Sequence, residues 1–271
     1  MKIVTWNVNS VRARAGNMAE WIRMAQPDVL LLQELKCVDA AFPREFFEDL
    51  GFSCAVLGQK AYNGVAILSR YRMEDITLNL PTFPEDPAAR YIEAVLWGHV
   101  RVASLYLPNG GQTVGGEAYR YKLRFFQHFQ DYVQKILRND ELFLVGGDYN
   151  VAPEDQDVHN DALWRERVCC TTEERQAFAA LKQTGLTDLF LHFWEKSEEN
   201  MGQKLGKRPF TWWPYMRGAF AHNQGLRLDH FLVNTEALSA VACVFVDTTP
   251  RQQVRPSDHA PLICELNLPK E

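Results

Sequence analysis

No apolar run in this chain approaches bilayer length. The longest, such as Val29-Leu30-Leu31-Leu32, fall far short of the roughly 20 residues a membrane helix needs. The opening Met1-Lys2-Ile3-Val4-Thr5-Trp6-Asn7 has no signal-peptide core, so neither export nor a membrane partner is expected. Cysteine is scarce, with six in 271 residues, at 37, 54, 169, 170, 243 and 264. There is no Cys-x-x-Cys and no Cys/His cluster, which argues against a zinc site, and the vicinal Cys169-Cys170 pair suits disulfide geometry poorly. Reduced thiols in a cytoplasmic protein are the expectation. Also missing are a linker, a compositional break and a repeat of solenoid period. The loops at 79–90 and 197–208 are richest in Pro, Gly and charge, but neither separates two cores, so residues 1–271 are expected to form one domain.

Positive charge is in deficit as well. Thirty-four acids face 29 bases, a net −5 that does not advertise a nucleic-acid partner. The distribution says more than the sum. Residues 201–260 carry seven bases and four acids and are +3, leaving the remainder at −8. A locally basic segment on an acidic body can hold a polyanion on one face, although a solvated surface explains the charge equally well.

What is present is an ordinary globular composition. At 46% hydrophobic and 23% charged, the chain is neither disordered, nor collagen-like, nor a small disulfide-stapled scaffold. Strands are expected at 2–8, 28–33, 53–57, 64–69, 92–97, 101–107, 142–145, 210–213, 228–233, 241–246 and 262–267. Helical spacing of Val11, Ala15, Met18, Ile22 and Ala25 predicts a helix stopped by Pro27, and a short one is expected over Phe42–Leu50. A long amphipathic helix fits Glu117–Arg138, with Tyr121, Phe125, Phe129, Tyr132, Val133 and Ile136 on one side. Another fits Glu173–Lys182, with Thr171 or Thr172 as N-cap and Gly185 past its end. Strands throughout, with helices between, make an α/β fold whose simplest form is two packed sheets with helices outside.

Polar residues recur where these buried strands end: Asn7, Gln33-Glu34, Asp148 with Asn150, Asp229, and Asp258-His259 just before the last strand. Singly, each has an ordinary explanation. Asn7 can cap the helix near Val11, Glu34 can lie on the surface, and Gly147-Asp148 can be a turn. Asp229 can pair with Arg227, and His259 can be a satisfied loop histidine. Together, five such strand ends are hard to explain as unrelated caps, because a carboxylate beside an apolar run is costly unless paired, hydrogen-bonded or metal-bound. Glu34, Asp258 and Asn7 offer oxygens to a hard divalent cation. His259 with Asp229 is a carboxylate–imidazole pair able to stabilise charge on a phosphoryl oxygen, and Asp148 with Asn150 can orient a water. The set fits metal-assisted phosphodiester hydrolysis.

The ordered strings Thr5-Trp6-Asn7-Val8-Asn9, Leu32-Gln33-Glu34, Tyr62-Asn63-Gly64-Val65-Ala66-Ile67, Tyr106-Leu107-Pro108-Asn109-Gly110, Gly147-Asp148-Tyr149-Asn150, Phe210-Thr211-Trp212-Trp213, Arg227-Leu228-Asp229 and Ser257-Asp258-His259 resemble the exonuclease III family of apurinic/apyrimidinic endonucleases. The resemblance runs from residue 2 to about 267. It implies a four-layered α/β sandwich of two mixed sheets flanked by helices, Mg²⁺ or Mn²⁺ dependence, and a monomer of bacterial type working at the nucleoid. The implied substrate is double-stranded DNA with abasic sites, nicks or blocked 3′ ends. Incision would fall 5′ to abasic sites, with 3′-exonuclease or 3′-phosphodiesterase activity besides.

Carried over motif by motif, Glu34 would be the principal metal ligand, with Asn7 and Asp258 beside it. Asp148 would orient or deprotonate the water, and Asn150 would stabilise the phosphate. Tyr106 and Asn109 would contact it, and Asp229 with His259 would form the histidine pair. Trp212, Leu226 and Leu228 would wall a pocket for a flipped abasic sugar, a step that costs least where no base pair must be broken. Met216-Arg217 would probe the duplex, an apolar wedge beside a phosphate-binding cation. Departures from the family pattern are Leu35 in place of Thr, Gln112 in a loop that is basic in some relatives, and the stretch Val158–Cys170. Two alternatives stay open: a phosphoesterase of the same superfamily acting on inositol phosphate or phospholipid, and a non-catalytic DNA-binding relative.

Overall fold

The computed structural model describes residues 1–201 and 205–268. Among these residues, twelve strands form two six-stranded sheets. The first sheet combines β1 (Lys2–Asn7), β2 (Val29–Gln33), β3 (Ser53–Leu57), β4 (Val65–Ser69), β11 (Val241–Val246) and β12 (Leu262–Leu266), in the order β11-β12-β1-β2-β4-β3. The second combines β5 (Met73–Leu78), β6 (Tyr91–Leu96), β7 (Val100–Tyr106), β8 (Leu142–Asp148), β9 (Thr187–Asp188) and β10 (Asp229–Val233), in the order β5-β6-β7-β8-β10-β9. Each sheet is mixed for the same reason. Its centre is a parallel pair, β1 with β2 and β7 with β8, and a parallel pair needs a long crossover. α1 (Val11–Ala25) makes the first crossover and α3 (Glu117–Ile136) the second.

Apolar side chains from the inner faces, among them Ile3, Leu31, Ile67, Val102, Leu144 and Phe231, interlock between the sheets. The outer face of the first sheet packs on α1 and α2 (Arg44–Glu48) through Trp6, Trp21, Ile22, Phe47 and Leu32. The outer face of the second packs on α3 and α5 (Thr172–Gln183) through Phe125, Phe129, Val133, Phe178 and Leu181. The result is the expected helix–sheet–sheet–helix sandwich. Each fully buried aliphatic or aromatic side chain contributes roughly 1.5–3 kcal/mol, which is why the inner strands read as continuous apolar runs.

Gly146 and Gly147 belong to β8 and are not a turn. A Cβ on Gly146 would lie 2.5 Å from the Phe231 ring, and one on Gly147 would lie 2.0 Å from the Leu105 carbonyl oxygen. Both glycines are needed where strands and sheets approach closely. Close behind them Gln33 stitches the sheets together, its Nε2 donating to Ser104 Oγ at 2.9 Å and to Thr5 Oγ1 at 3.1 Å.

Other expectations need correction. The segment 210–213 is not a strand. Trp212 makes only isolated bridges, to Leu226 on one side and His259 on the other. Its residues favour strands, but Pro209 and Pro214 bracket them, and the backbone serves two different partners. β5, β9, α4 (Asp161–Trp164), α6 (Leu189–Met201) and α7 (Thr235–Ala240) were not anticipated. Of the loop expected at 197–208, residues 197–201 complete α6, and 202–204 lie outside the described residues. The loop at 79–90 holds no helix or strand between β5 and β6. The cap of α5 is Thr171, in a reciprocal box with Glu174, and Gly185 follows at φ +118°.

Candidate active site

The two parallel pairs end at the same edge of the sandwich, and ligands bind in α/β folds outside the carboxyl ends of such strands. β1 ends in Asn7, β2 runs into Glu34, β7 ends in Tyr106 and β8 ends in Asp148. Asn7 is fully buried and joins them, its Nδ2 donating to Glu34 Oε1 and to Asp148 Oδ2, both at 2.9 Å. Tyr106 donates its hydroxyl to Glu34 Oε1 at 2.9 Å. Burial first, and the Glu34 and Asp148 carboxylates next, push this phenol well above its ordinary value, so it stays a donor. The backbone of Glu34 itself is left-handed, at φ 53°.

The opposite wall comes from the C-terminal third. Asp229 opens β10, with its amide and that of Leu228 donating to Thr211 Oγ1 at 3.0 and 2.9 Å. Its Oδ2 lies 2.8 Å from His259 Nδ1, and His259 Nε2 lies 3.6 Å from Asp148 Oδ2. Asp258 accepts from Asn9 Nδ2 at 2.8 Å and from Trp212 Nε1 at 3.1 Å. Asn150 anchors to the Leu107 carbonyl at 2.9 Å, and its amide donates to Asp148 Oδ1 at 2.9 Å. The ordinary explanations therefore fail for several of these residues. Asn7 caps no helix, and Arg227 pairs with Asp157 and Asp188 and leaves Asp229 to the histidine.

The electrostatics divide these groups. Burial pushes the Asp148 carboxyl up, and the neighbouring Asp229 and Glu34 add to it, against His259 and Asn7; it reaches about 7. For His259, burial acts downward, but the Asp229 and Asp148 carboxylates outweigh it and hold the imidazole up at about 10. Glu34 and Asp258 go the other way. Burial opposes their charge, but Lys36 and Asn7 for Glu34, and His259, Asn9 and Trp212 for Asp258, hold both below the usual range.

Two acidic groupings at this edge could hold a metal ion. Among the described residues, Asp148, Asp229 and His259 form a compact cluster, their ligand atoms within 4.8 Å of one another. There the carboxylates favour a proton on His259, and a proton competes with a metal. Glu34 and Asp258 stay anionic and open onto the cavity, as a hard cation requires. Three donors, from Asn7, Tyr106 and Lys36, occupy Glu34 and leave one of its roughly four lone-pair sites. Asn7 takes a further part besides lying beside these acids. It turns its nitrogen to the two carboxylates while its Oδ1 accepts from Asn9 N at 3.0 Å, which makes it a bridge between Glu34 and Asp148.

A cavity of about 660 Å³ opens above these groups. Its floor holds Glu34, Tyr106, Asp148, Asn150, Asp258 and His259, with Asn109 alongside, and its apolar wall includes Trp212, Leu226, Leu228 and Trp164. Trp213 is buried core beside Phe220, so the two tryptophans divide between pocket and packing. Met216 and Arg217 lie outside the cavity on an exposed turn, where Met216 is 71% exposed and Arg217 has φ 55°. Gln112 and Glu166–Cys169, from the stretches that depart from the family pattern, line the rim. Leu35 packs against the outer core, 2.9 Å from where a Cβ on Gly64 would sit, so this position serves packing.

Sequence reasoning missed Lys36, whose Nζ lies 2.8 Å from Glu34 Oε2, although the signal was there two residues past the carboxylate. Trp164 was missed as well. Asn9 appeared only within the quoted first motif, and nothing but proximity to Asn7 marked it.

The sequence profile of the Endonuclease/Exonuclease/phosphatase family matches residues 4–259. The chain belongs to this family. It is 33% identical to exodeoxyribonuclease III of Haemophilus influenzae over 274 residues, covering 98% of this chain and 99% of that one. Its structure matches a 3′ phosphatase from Neisseria bound to a product DNA hairpin, with TM-score 0.91, 35% identity, and 99% and 100% of the two chains covered. It also matches an AP endonuclease from Archaeoglobus fulgidus, with TM-score 0.90, 31% identity and the same coverage. Among the described residues no helix is long and apolar enough to cross a membrane.

Proposed function

We propose that this chain is a divalent-metal-dependent DNA repair nuclease that hydrolyses phosphodiester bonds 5′ to abasic sites and removes blocking groups at 3′ ends of duplex DNA. The observation that carries the reading is the meeting of Glu34, Tyr106, Asp148, Asp258 and His259 on one cavity, with Asn7 and Asp229 bonded to them directly beneath, all drawn from six distant segments. Full-length similarity to exodeoxyribonuclease III and to an AP endonuclease supports DNA as the substrate.

A bound Mg²⁺ or Mn²⁺ supplies positive charge to the scissile phosphate, and Glu34 and Asp258 are the residues that would hold it. The chain does the rest. Asp148, with a pKa near neutrality, accepts the proton of the attacking water. Protonated His259, kept charged by Asp229, stabilises the negative charge that grows on a phosphoryl oxygen. Asn150, Asn109 and Tyr106 orient the phosphate. Trp212, Leu226 and Leu228 form an apolar wall that accepts a sugar without its base and excludes a bulky nucleotide. Met216 and Arg217 reach the duplex outside the cavity.

Residues 1–271 form one domain in this reading. Pairing of β1 with β12, near the two ends of the chain, supports it. The reading includes a cytoplasmic, nucleoid-associated monomer, and the six unpaired cysteines support the reducing compartment. The test is a duplex with a central tetrahydrofuran abasic analogue, an intact duplex and a nicked duplex ending in a 3′-phosphate, each with Mg²⁺ and with chelator. One cut 5′ to the analogue and release of the phosphate, both abolished by chelation, are expected. No cleavage of any DNA, or phosphate release only from inositol phosphates or phospholipid, refutes the proposal.

A further inference from the structure

Arg251 touches neither the cavity nor the solvent to any extent, yet it sits between the two loops that flank the site. It belongs to the single turn Thr249–Gln252 and is 6% exposed. Its guanidinium lies 4.9 Å from the Phe220 ring centre, 5.7 Å from that of Trp213 and 5.8 Å from that of Tyr215. Three aromatic faces around one planar cation form a cage, and desolvation strengthens each such contact. These rings all come from residues 213–220, the loop that carries Met216 and Arg217 at its exposed tip.

The other side of Arg251 faces the catalytic loop. Its Nη1 donates to the Ser257 carbonyl oxygen. Ser257 Oγ donates to Asn7 O at 2.7 Å and accepts from His259 N at 3.2 Å. The same residue therefore fixes the peptide that leads into Asp258 and His259. A second strut runs in parallel, with Tyr215 OH donating to Pro256 O at 2.8 Å. The peptide of Asp258 closes the frame by accepting from Trp213 N at 3.0 Å.

We infer that Arg251 is a positioning residue that couples contact of the Met216–Arg217 turn with duplex DNA to the placement of Asp258 and His259 in the site. This rests on the nuclease reading above. The physical basis is that one rigid guanidinium plane serves both loops, so a shift of the aromatic cage on docking is passed to the Ser257 carbonyl without a flexible intermediate. Lysine at this position would keep a charge and a donor but would lose the plane that the rings grip.

The experiment is a double-mutant cycle of Arg251→Met with Met216→Ala, using Mg²⁺ and a 30-base-pair duplex carrying a tetrahydrofuran site. A trinucleotide with a central tetrahydrofuran, too short to reach the turn, runs alongside. Thermal melts confirm folding, and Arg251→Lys replaces Arg251→Met if the latter does not fold. Expected for Arg251→Met is a fall in kcat on both substrates, because the Ser257 peptide is loosened, but a fall at least tenfold larger on the duplex, which alone engages the turn. Met216→Ala should slow duplex cleavage in the wild-type background and have no further effect once Arg251 is replaced. Additive losses, an equal fall on both substrates, or no change at all overturns the coupling. Failure of the wild-type protein to cleave either substrate refutes the nuclease reading instead, so the two outcomes are distinguishable.

Discussion

Lys122 is the residue whose removal should reveal most about how the site is held. It lies on the buried side of α3 with no exposed surface, and its ammonium pairs with Glu174, also fully buried, at the start of α5. The same ammonium donates to the Asn150 carbonyl at 2.7 Å and, at 3.4 Å, to that of Asn109, so one cation fixes two residues of the cavity floor and side. Glu174 in turn accepts from the amides of Cys169 and Thr171 at 3.0 and 3.1 Å. Lys122→Met leaves Glu174 without a countercharge and the Asn150 carbonyl without its donor. Breaking a buried pair from one side costs about 3–5 kcal/mol. At about 2–4 °C per kcal/mol for a chain approaching this size, Tm should fall by roughly 6–20 °C. The double variant Lys122→Met/Glu174→Gln contains no buried charge and should recover at least about half of that loss. Urea unfolding gives the stabilities, and turnover on an abasic duplex at 25 °C, where all variants remain folded, should fall with the loosened Asn150. A single-variant loss under about 1 kcal/mol, or a double loss equal to the sum of the singles, refutes the claim that this pair is a buried, mutually dependent brace.

Glu34→Ala should lower activity in a way that raised Mg²⁺ partly restores, and absence of any recovery in a metal titration would argue against direct ligation. His259→Asn or Asp148→Asn should reduce kcat by about 10²–10⁴-fold with duplex affinity kept, because both groups act on the transition state; equal losses in affinity and turnover in a filter-binding and single-turnover comparison would contradict this. Burial pushes the Asp157 and Asp188 carboxyls up, but Arg227 outweighs it and holds both below the usual carboxylate range, with Arg208 and His230 facing the same cluster. A depressed folded value stabilises fully above the unfolded value of about 4 and is lost as pH falls below it. Asp188→Asn should therefore flatten the acid limb of a urea-midpoint profile below about pH 4, and an unchanged limb would count against the pairing.

The strand ends were legible because burial makes polar residues conspicuous. Asn7, Glu34, Asp148, Asp229 and Asp258 each follow or open an apolar run, and each lies at the cavity or directly beneath it. What escaped reading had no such contrast. Lys122 sits among the apolar positions of α3, between Tyr119 and Phe125, where a lysine usually carries its charge to solvent. β5 exposes most of its side chains at a sheet edge and so lacks a strand's alternation. The segment 210–213 was misread for the opposite reason. Its residues favour strands, and only the tertiary structure shows that Thr211 and Trp212 buckle the 226–229 segment to the loop at 258–260.

The placement of three carboxylates around one opening poses a problem that the fold answers with a neutral group. Glu34, Asp148 and Asp258 all face the cavity, and Asp229 lies beneath it. A phosphodiester entering such a site meets like charge unless cations intervene. Lys36 supplies one beside Glu34, and the carboxylates of Asp229 and Asp148 favour a proton on His259, which would supply another. Asn7 does something neither can do. Its single NH₂ group donates to acids from both sheets at equal distance, tying β2 to β8 across the interface without adding charge. An aspartate there would be a further anion, and a cation there would compete for Glu34 with the metal ion proposed to bind it. The amide satisfies both carboxylates and leaves part of Glu34 open, so the junction of the two sheets is also the point at which the acidic groups can be held close enough to act together.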